Sequence, residues 1–308
     1  MKLSIDRLRT LALIDRTGSL SAAATELGIG PSAVSQQITK LEQELGEELL
    51  VRTTKPARLT PLGATLAGYG AAILENFERA VAAAELSNEV VAGRFDVGTI
   101  PTVAISVLSD ALADLRTSSP DLDVRVHDAE MHESIRMLAA YEIDISIVDQ
   151  YDAVPIPLPE QMTVIPLGSE LVQIFGSAET LDHYDADSDI PLDSLANHSW
   201  ILPPESTSCG AAALALCHAA GFDPDVRLET NDLLLLRSFA ADGFGITMLP
   251  QLATRTGSAA CTTRNIKGRP RRSIHAIVRE STRDRPSEHA FLDAVKRAAA
   301  MHLDPPNT

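Results

Sequence analysis

Glycine and proline cut the first 46 residues into three short helical segments, and this punctuation constrains the fold more than any other feature of the chain. Leu8, Leu11 and Ile14 recur at helical spacing before Gly18 stops the first segment. Ser19 is a natural N-cap for "LSAAATEL", where small alanines permit close helix packing, and Gly28 closes that segment. A turn only "GIG" long follows. Pro31 then stands where a helix tolerates proline best, at its first position, and Val34, Ile38, Leu41 and Leu45 form one apolar seam before Gly46 ends the helix. Two short helices, a tight glycine turn and a longer helix make a helix-turn-helix pattern.

The seam of that third helix leaves Ser32, Ser35, Gln36, Thr39, Lys40 and Gln43 toward the other side. An ordinary solvated face carries more Glu and Lys. Gln can bond adenine bidentately in the major groove, and Ser and Thr can bond several base edges while Thr also offers a methyl to thymine. The β-like stretch "LLVRTTKPARLTP" comes next, broken by Pro56, and reads as a small hairpin or wing whose Arg52, Lys55 and Arg58 are available for phosphates. The expected partner is double-stranded DNA.

A formal charge of −16 would ordinarily argue against a polyanionic partner. The charge is unevenly distributed: residues 1–60 hold eight Lys/Arg and seven Asp/Glu, whereas residues 61–308 hold 18 and 35. The acidity therefore belongs to the larger C-terminal part, and the first segment remains free to approach phosphate. No 18-residue apolar run occurs, and "MKLSIDRLRTLALIDR" carries charges every few residues, so neither a membrane span nor an export signal is expected and the chain should be cytoplasmic. Cys209, Cys217 and Cys261 lack any zinc-like spacing, and their odd number argues against a disulfide scaffold.

Thr60-Pro61 restarts a helix in which Leu62, Leu66, Tyr69, Ile73, Phe77, Ala80 and Ala84 keep a 3/4 spacing. Such a stripe on a helix of about 30 residues, some 45 Å long, is expected to be covered by a second copy of the chain. From Arg94 the pattern changes to alternating strands and helices. "FDVGTI", "DVRVHDA" and "IDISIVD" read as strands, with helical spacing over 103–116 and 132–141, so βαβ units and a partly parallel sheet are expected. A second such unit begins near Val172, with "LVQIFG", "SWILPP", the helix "CGAAALALCHAAGF" and "LLLLRSFAADGFGITMLP". "RSIHAIVRE" and "SEHAFLDAVKRAAAMH" offer a final strand and amphipathic helix.

Residues 8–66, "LRTLALIDRTGSLSAAATELGIGPSAVSQQITKLEQELGEELLVRTTKPARLTPLGATL", resemble the N-terminal domain of LysR-type transcriptional regulators. The resemblance rests on Gly18-Ser19, Ala22-Ala23, Leu27, Ala33-Val34-Ser35, Ile38, Leu41-Glu42, Leu45-Gly46, Leu49, Arg52, Leu59-Thr60 and Gly63, and continues through "RFDVGT", "YEIDISIV", "ADGFGITMLP" and "AFLDAV". Gly30-Pro31 stands where the family often has Ser-Gln, and Leu50 replaces a common Phe. The resemblance implies a multidomain chain: an all-α winged helix-turn-helix (1–60), a long linker and dimerisation helix (61–91), and an α/β two-lobed effector domain (92–308) of type 2 periplasmic-binding-protein-like form. Lobe one would be 92–165 and 267–308, and lobe two 166–266.

By the same resemblance the chain is a regulator, not an enzyme. It would act as a homodimer or homotetramer, with no resident cofactor, RNA polymerase as a further partner at the promoter, and no membrane. A small-molecule effector, a carboxylate or amino acid, would bind between the lobes. Carried over by position, its contacts are Thr102 after "GTIP", Met131 and His132 after "HDAE", Ser208 in "PESTSCG" and Asn231 in "ETND". Thr102 and Ser208 suit an anion best, while Met131 makes the pocket more apolar than in relatives. Peroxide-sensing relatives use a cysteine pair near this helix; Cys217 falls on the second of those positions, but Ser208, adjacent to Cys209, falls on the first. A redox switch is therefore disfavoured. Arg264, Lys267, Arg269, Arg271 and Arg272 read as a solvated basic loop balancing the acidic domain. No GxSxG, HExxH, Walker loop or complete dinucleotide fingerprint is present.

Overall fold

The computed structural model describes residues 3–27, 29–51, 58–88, 91–154, 162–185, 188–255, 261–283 and 285–306. The chain divides into two compact units, one built mainly on residues up to 90 and the other on residues from 91.

In the first unit, α1 (Ile5–Thr17) ends on Gly18 at φ 64°, a left-handed cap that other residues rarely adopt. The hydroxyl of Ser19 accepts from the Ala22 N–H at 3.3 Å and starts α2 (Leu20–Glu26). Helix α3 spans Pro31–Leu45, with Gly30 at its N-cap, Pro31 at its first turn and Gly46 in the left-handed region behind it. Gly28 lies outside the described residues. Leu8, Leu11, Ile14, Ala23, Val34, Ile38, Leu41 and Leu49 close one apolar core over these three helices. The wing is a two-stranded antiparallel pair, β1 (Leu50–Val51) and β2 (Arg58–Leu59). Glu42, which the helical pattern would leave unremarked, is buried because its carboxylate accepts from the N–H groups of Leu49 and Leu50 at 2.9 and 3.3 Å, tying α3 to the wing.

Helix α4 (Pro61–Asn88) begins where Thr60 Oγ1 accepts from the Gly63 N–H at 3.0 Å. Its inner face sets small residues among larger apolar ones. A Cβ on Gly63 would lie 2.3 Å from the Leu49 carbonyl oxygen, and one on Gly70 would lie 2.6 Å from that of Leu8. Leu66 and Ile73, expected on the dimer stripe, pack instead on the core of this unit, because the glycines let α4 sink against α1. Leu62 and Tyr69 remain exposed, at 40% and 62%. The side chains of Phe77 and Ala84 lie outside the described set.

The second unit opens with β3 (Gly93–Thr99), followed by the short helix α5 (Pro101–Val103), a π turn at Ala104–Leu108 and α6 (Ser109–Ser118). Then come β4 (Leu122–Asp128), α7 (Met131–Ala139), β5 (Ile145–Tyr151) and the 15-residue strand β6 (Met162–Gly176). After α8 (Ala178–Leu181) come β7 (Ser199–Leu202), α9 (Ser208–Ala219), β8 (Asp225–Glu229), α10 (Leu233–Ala241) and β9 (Thr247–Pro250). β10 (Thr262–Asn265), β11 (Arg271–Arg279) and α11 (Pro286–His302) complete it. β3 is flanked in parallel by β4 and β5, while β11 runs antiparallel between β5 and β6. β6 is continuous: residues 162–171 pair with β11, and residues 172–176 pair with β9 and β10. It therefore serves two hydrophobic cores, one around Phe95, Ile147, Ile274 and Phe291 and the other around Ile174, Trp200, Cys217 and Ile246. No helix among the described residues is long and apolar enough to cross a membrane.

Candidate DNA-reading face and effector cavity

Burial divides α3 cleanly. Val34, Ile38 and Leu41 are essentially inaccessible, and Ser32, Gln36, Lys40 and Gln43 are exposed on the far side. Ser35 and Thr39 sit half-buried on the shoulders of this face. Gln37 is turned inward, where its Oε1 accepts from the Thr10 hydroxyl at 2.6 Å and holds α3 against α1. Arg7 of α1 pairs with Glu44, further fixing the helix. Of the basic residues expected in the wing, Arg58 is exposed on β2; Arg52 and Lys55 lie outside the described residues. The outcome is a row of mostly uncharged donors and acceptors on a helix anchored by its opposite side, suited to a major groove.

The second site is internal. Where β5, β11 and β6 run side by side, Tyr151, Arg272 and Glu170 fall opposite one another in register, so all three side chains share one face of the sheet. Asp149, two residues before Tyr151, shares that face. Arg272 donates from Nε to Glu170 Oε1 at 2.9 Å and from one terminal nitrogen to Thr102 Oγ1 at 2.9 Å, with Asp149 Oδ2 at 3.4 Å. The other terminal nitrogen also meets Glu170. Glu170 in turn accepts from the Leu252 N–H at 2.5 Å. The Arg272 side chain is 2% exposed, so it is no solvated loop residue: burial works against its charge, but Glu170 and Asp149 outweigh that cost and hold it protonated. Elsewhere in the basic run, Arg264 pairs with Asp182, Arg269 with Asp189 and Arg271 with Asp304.

Around this cluster lie two adjoining cavities, of about 60 and about 100 Å³. Thr102 and Asn231 line the first, Met131, His132 and Ser208 the second, and Glu130, Asp149 and Tyr151 form a wall common to both. On this measure a water needs about 10–15 Å³, so the first cavity has room for a few waters or a small ligand. Met131 is 1% exposed and packs among Leu138, Ile143, Val148 and Ile277, so it contributes more to the core than to the cavity. Asn231 Nδ2 donates to Glu130 Oε1 at 3.5 Å. Burial pushes the Glu130 carboxyl up and nearby Asp149 adds to it, partly offset by Asn231 and the Ser208 N–H. Among the described lining residues Arg272 is the only Arg or Lys, against Glu130, Asp149 and Glu205.

Cys209 lines the first cavity next to Tyr151, and burial raises its thiol to about 11. Cys217 is fully buried in the core around Trp200, and burial raises it to about 12. Both remain thiols near neutrality, whereas the thiolate is the reactive form. Among the described residues no group of three or more His, Cys, Asp or Glu is placed to hold a metal ion.

The comparisons with known proteins agree with the two-part architecture. Residues 5–64 match the family described as bacterial regulatory helix-turn-helix protein, lysR family, and residues 88–300 match the LysR substrate binding domain. A relative named hydrogen peroxide-inducible genes activator from Dickeya chrysanthemi is 26% identical over 92% of this chain and 91% of its own length. A probable activator of the same name from Streptomyces viridosporus is 28% identical over 97% of this chain and 95% of its own length. Among solved structures, a full-length OxyR point variant from Pseudomonas aeruginosa superposes with a TM-score of 0.65 at 20% identity, covering 98% of this chain and 96% of its own. Full-length BenM gives 0.58 at 19% identity, covering 99% and 100%.

Proposed function

The chain belongs to the LysR family of bacterial DNA-binding regulators, and from that premise we propose that it is a sequence-specific transcriptional regulator controlled by a small ligand in the Thr102–Arg272 cavity. The observation that carries the reading is the division of α3 into a buried apolar seam and an exposed Ser32, Gln36 and Lys40 row. In this reading Ser32, Ser35, Gln36, Thr39 and Lys40 meet base edges and Arg52, Lys55 and Arg58 meet phosphates. Working boundaries are 1–60 for the DNA-binding domain, 61–91 for the linker helix and 92–308 for the effector domain. The exposed Leu62 and Tyr69 support a homodimer or homotetramer through α4, with RNA polymerase as a further partner in the cytoplasm.

Control is by population shift: a ligand that binds one arrangement of the oligomer more tightly than another changes the bend and promoter contacts of the bound operator. The relatives' names raise a second reading, direct peroxide sensing, and Cys209 at the cavity wall is the residue that favours it. The high pKa of both Cys209 and Cys217, and Ser208 in place of a cysteine, weigh against it. Electrophoretic shift assays with the gene's own upstream DNA separate the readings. Retardation of that DNA over random DNA, unaltered by hydrogen peroxide, is expected. A peroxide-dependent change lost in Cys209→Ser or Cys217→Ser would install the redox reading, and no preference for the upstream DNA would remove the regulator reading.

A further inference from the structure

The two features of the cavity that would hold an anion are already occupied by the protein's own carboxylates. Arg272 is consumed by Glu170, Asp149 and Thr102. The N-terminus of α9, where Ser208 offers its backbone N–H, already has Glu130 as acceptor. What stays unmet is an acceptor. Asp149 Oδ1 is buried with no hydrogen-bond partner, on a side chain only 5% exposed that lines both cavities. The Tyr151 hydroxyl, buried on the same wall beside the Cys209 thiol, has no partner of normal hydrogen-bond geometry and can donate or accept. Asn231 spends one of its two amide N–H groups on Glu130, and its carbonyl oxygen can accept. A buried carboxylate oxygen without a donor is costly, and a ligand bearing several N–H groups would relieve it. The opposite wall is apolar, formed by Ile100, Leu233, Leu236 and Leu249.

We propose that this cavity takes a small organic cation, a primary ammonium or amidinium group seated between Asp149 and Glu130 and carried on a short apolar body. The inference rests on the reading of the cavity as the effector site and names the class of effector. A metal ion would need a third ligand from the protein, and no such group is placed there among the described residues. A cationic head explains why carboxylates outnumber Arg272 among the described lining residues, and the apolar wall explains where its hydrocarbon part would lie.

The test uses the full-length protein and calorimetric titration with primary alkylammonium ions from ethyl to pentyl, the matching alkyl carboxylates and the matching alcohols, at constant ionic strength. At least one alkylammonium is expected to bind, with its carboxylate and alcohol counterparts weaker by about tenfold or more. Glu130→Gln, a partly exposed position that keeps its bond to Asn231, is expected to weaken the ammonium by about tenfold. Asp149→Asn should do the same, and if it fails to fold, Glu130→Gln decides alone. A carboxylate that binds more tightly than its ammonium counterpart, and more tightly still to Glu130→Gln, would overturn the cation while keeping the cavity as the effector site. Ammonium binding unaffected by Glu130→Gln would place the cation elsewhere and overturn it too. If no member of any charge binds, the effector-site reading falls together with the inference.

Discussion

The exposed face of α3 and the cavity of the second unit use polar groups in opposite ways. On α3 the polar atoms are exposed and mostly uncharged, and stability comes from the apolar seam behind them. In the cavity the charges are buried, and Arg272, Glu170 and Asp149 support one another at the centre of the sheet. An exposed polar face can be altered without disturbing the fold, because water satisfies its groups when no partner is present. A buried charge cluster has no such freedom, since removing one member leaves the others desolvated and unpaired.

Breaking the comparison at its stronger end, Arg272→Met should cost about 3–5 kcal/mol of stability in the second unit, because Glu170 and Asp149 would stay buried without their cation. Chemical denaturation monitored at Trp200 reads this directly, since that side chain lies in a core of the same unit. A loss below about 1 kcal/mol would show the cluster to be no more than a hydrated pair.

The N-terminal unit has its own close-packed site, and Gly70→Ala sharpens the contrast. Its added methyl would meet the Leu8 carbonyl oxygen at 2.6 Å, so a cost of about 1–3 kcal/mol is expected. Gly68→Ala, two residues earlier with nothing within 4 Å, should instead stabilise by about 0.5–1 kcal/mol, the helical advantage of alanine over glycine. Equal effects on thermal unfolding would refute the close approach of α1 and α4.

The smallest effect is a pH signature. The Glu130 carboxyl titrates above its ordinary value in the folded protein, so the folded state holds that proton more tightly than the unfolded one. The resulting penalty is absent at acid pH, below the ordinary carboxylate range, and is fully present once pH has risen past the raised value. Glu130→Gln should therefore raise the melting temperature slightly near neutrality, with the gain vanishing as the solution is acidified. A gain that is constant with pH would indicate a packing effect unrelated to charge.

The two regions also differ in how much of them could be read in advance. The bounds of α3, Pro31–Leu45, follow from local chemistry: a proline at the first turn, a seam at spacings of three and four, and a left-handed glycine behind. The start of α4 at Thr60-Pro61 was legible for the same reason. Its division was not, because Gly63 and Gly70 turn one side into a packing surface that an apolar periodicity does not register. Thr102, Met131, His132, Ser208 and Asn231 came from the family resemblance, and the fold brings them around the two cavities. Asp149 and Glu170 belong to no motif in the sequence, and Arg272 reads there as part of a solvated loop, since the three are joined only by strand register across as many as 123 positions of sequence. A signal exists for Asp149, a charge at the end of the apolar run in "ISIVDQY", because a charge in a buried strand demands a partner; Glu170 and Arg272 have polar sequence neighbours and offer no such mark.

The central claim, that the exposed face of α3 reads DNA sequence, is tested most directly by a genome-wide footprint of the wild-type protein beside Gln36→Ala. Gln36 is exposed, so the variant should stay within about 0.5 kcal/mol of the wild-type stability. The wild-type protein is expected to occupy a small set of two-fold-related sites, and the variant to lose about 1–3 kcal/mol of discrimination between those sites and random DNA. A footprint without discrete sites, or one that Gln36→Ala leaves unchanged, would contradict the account.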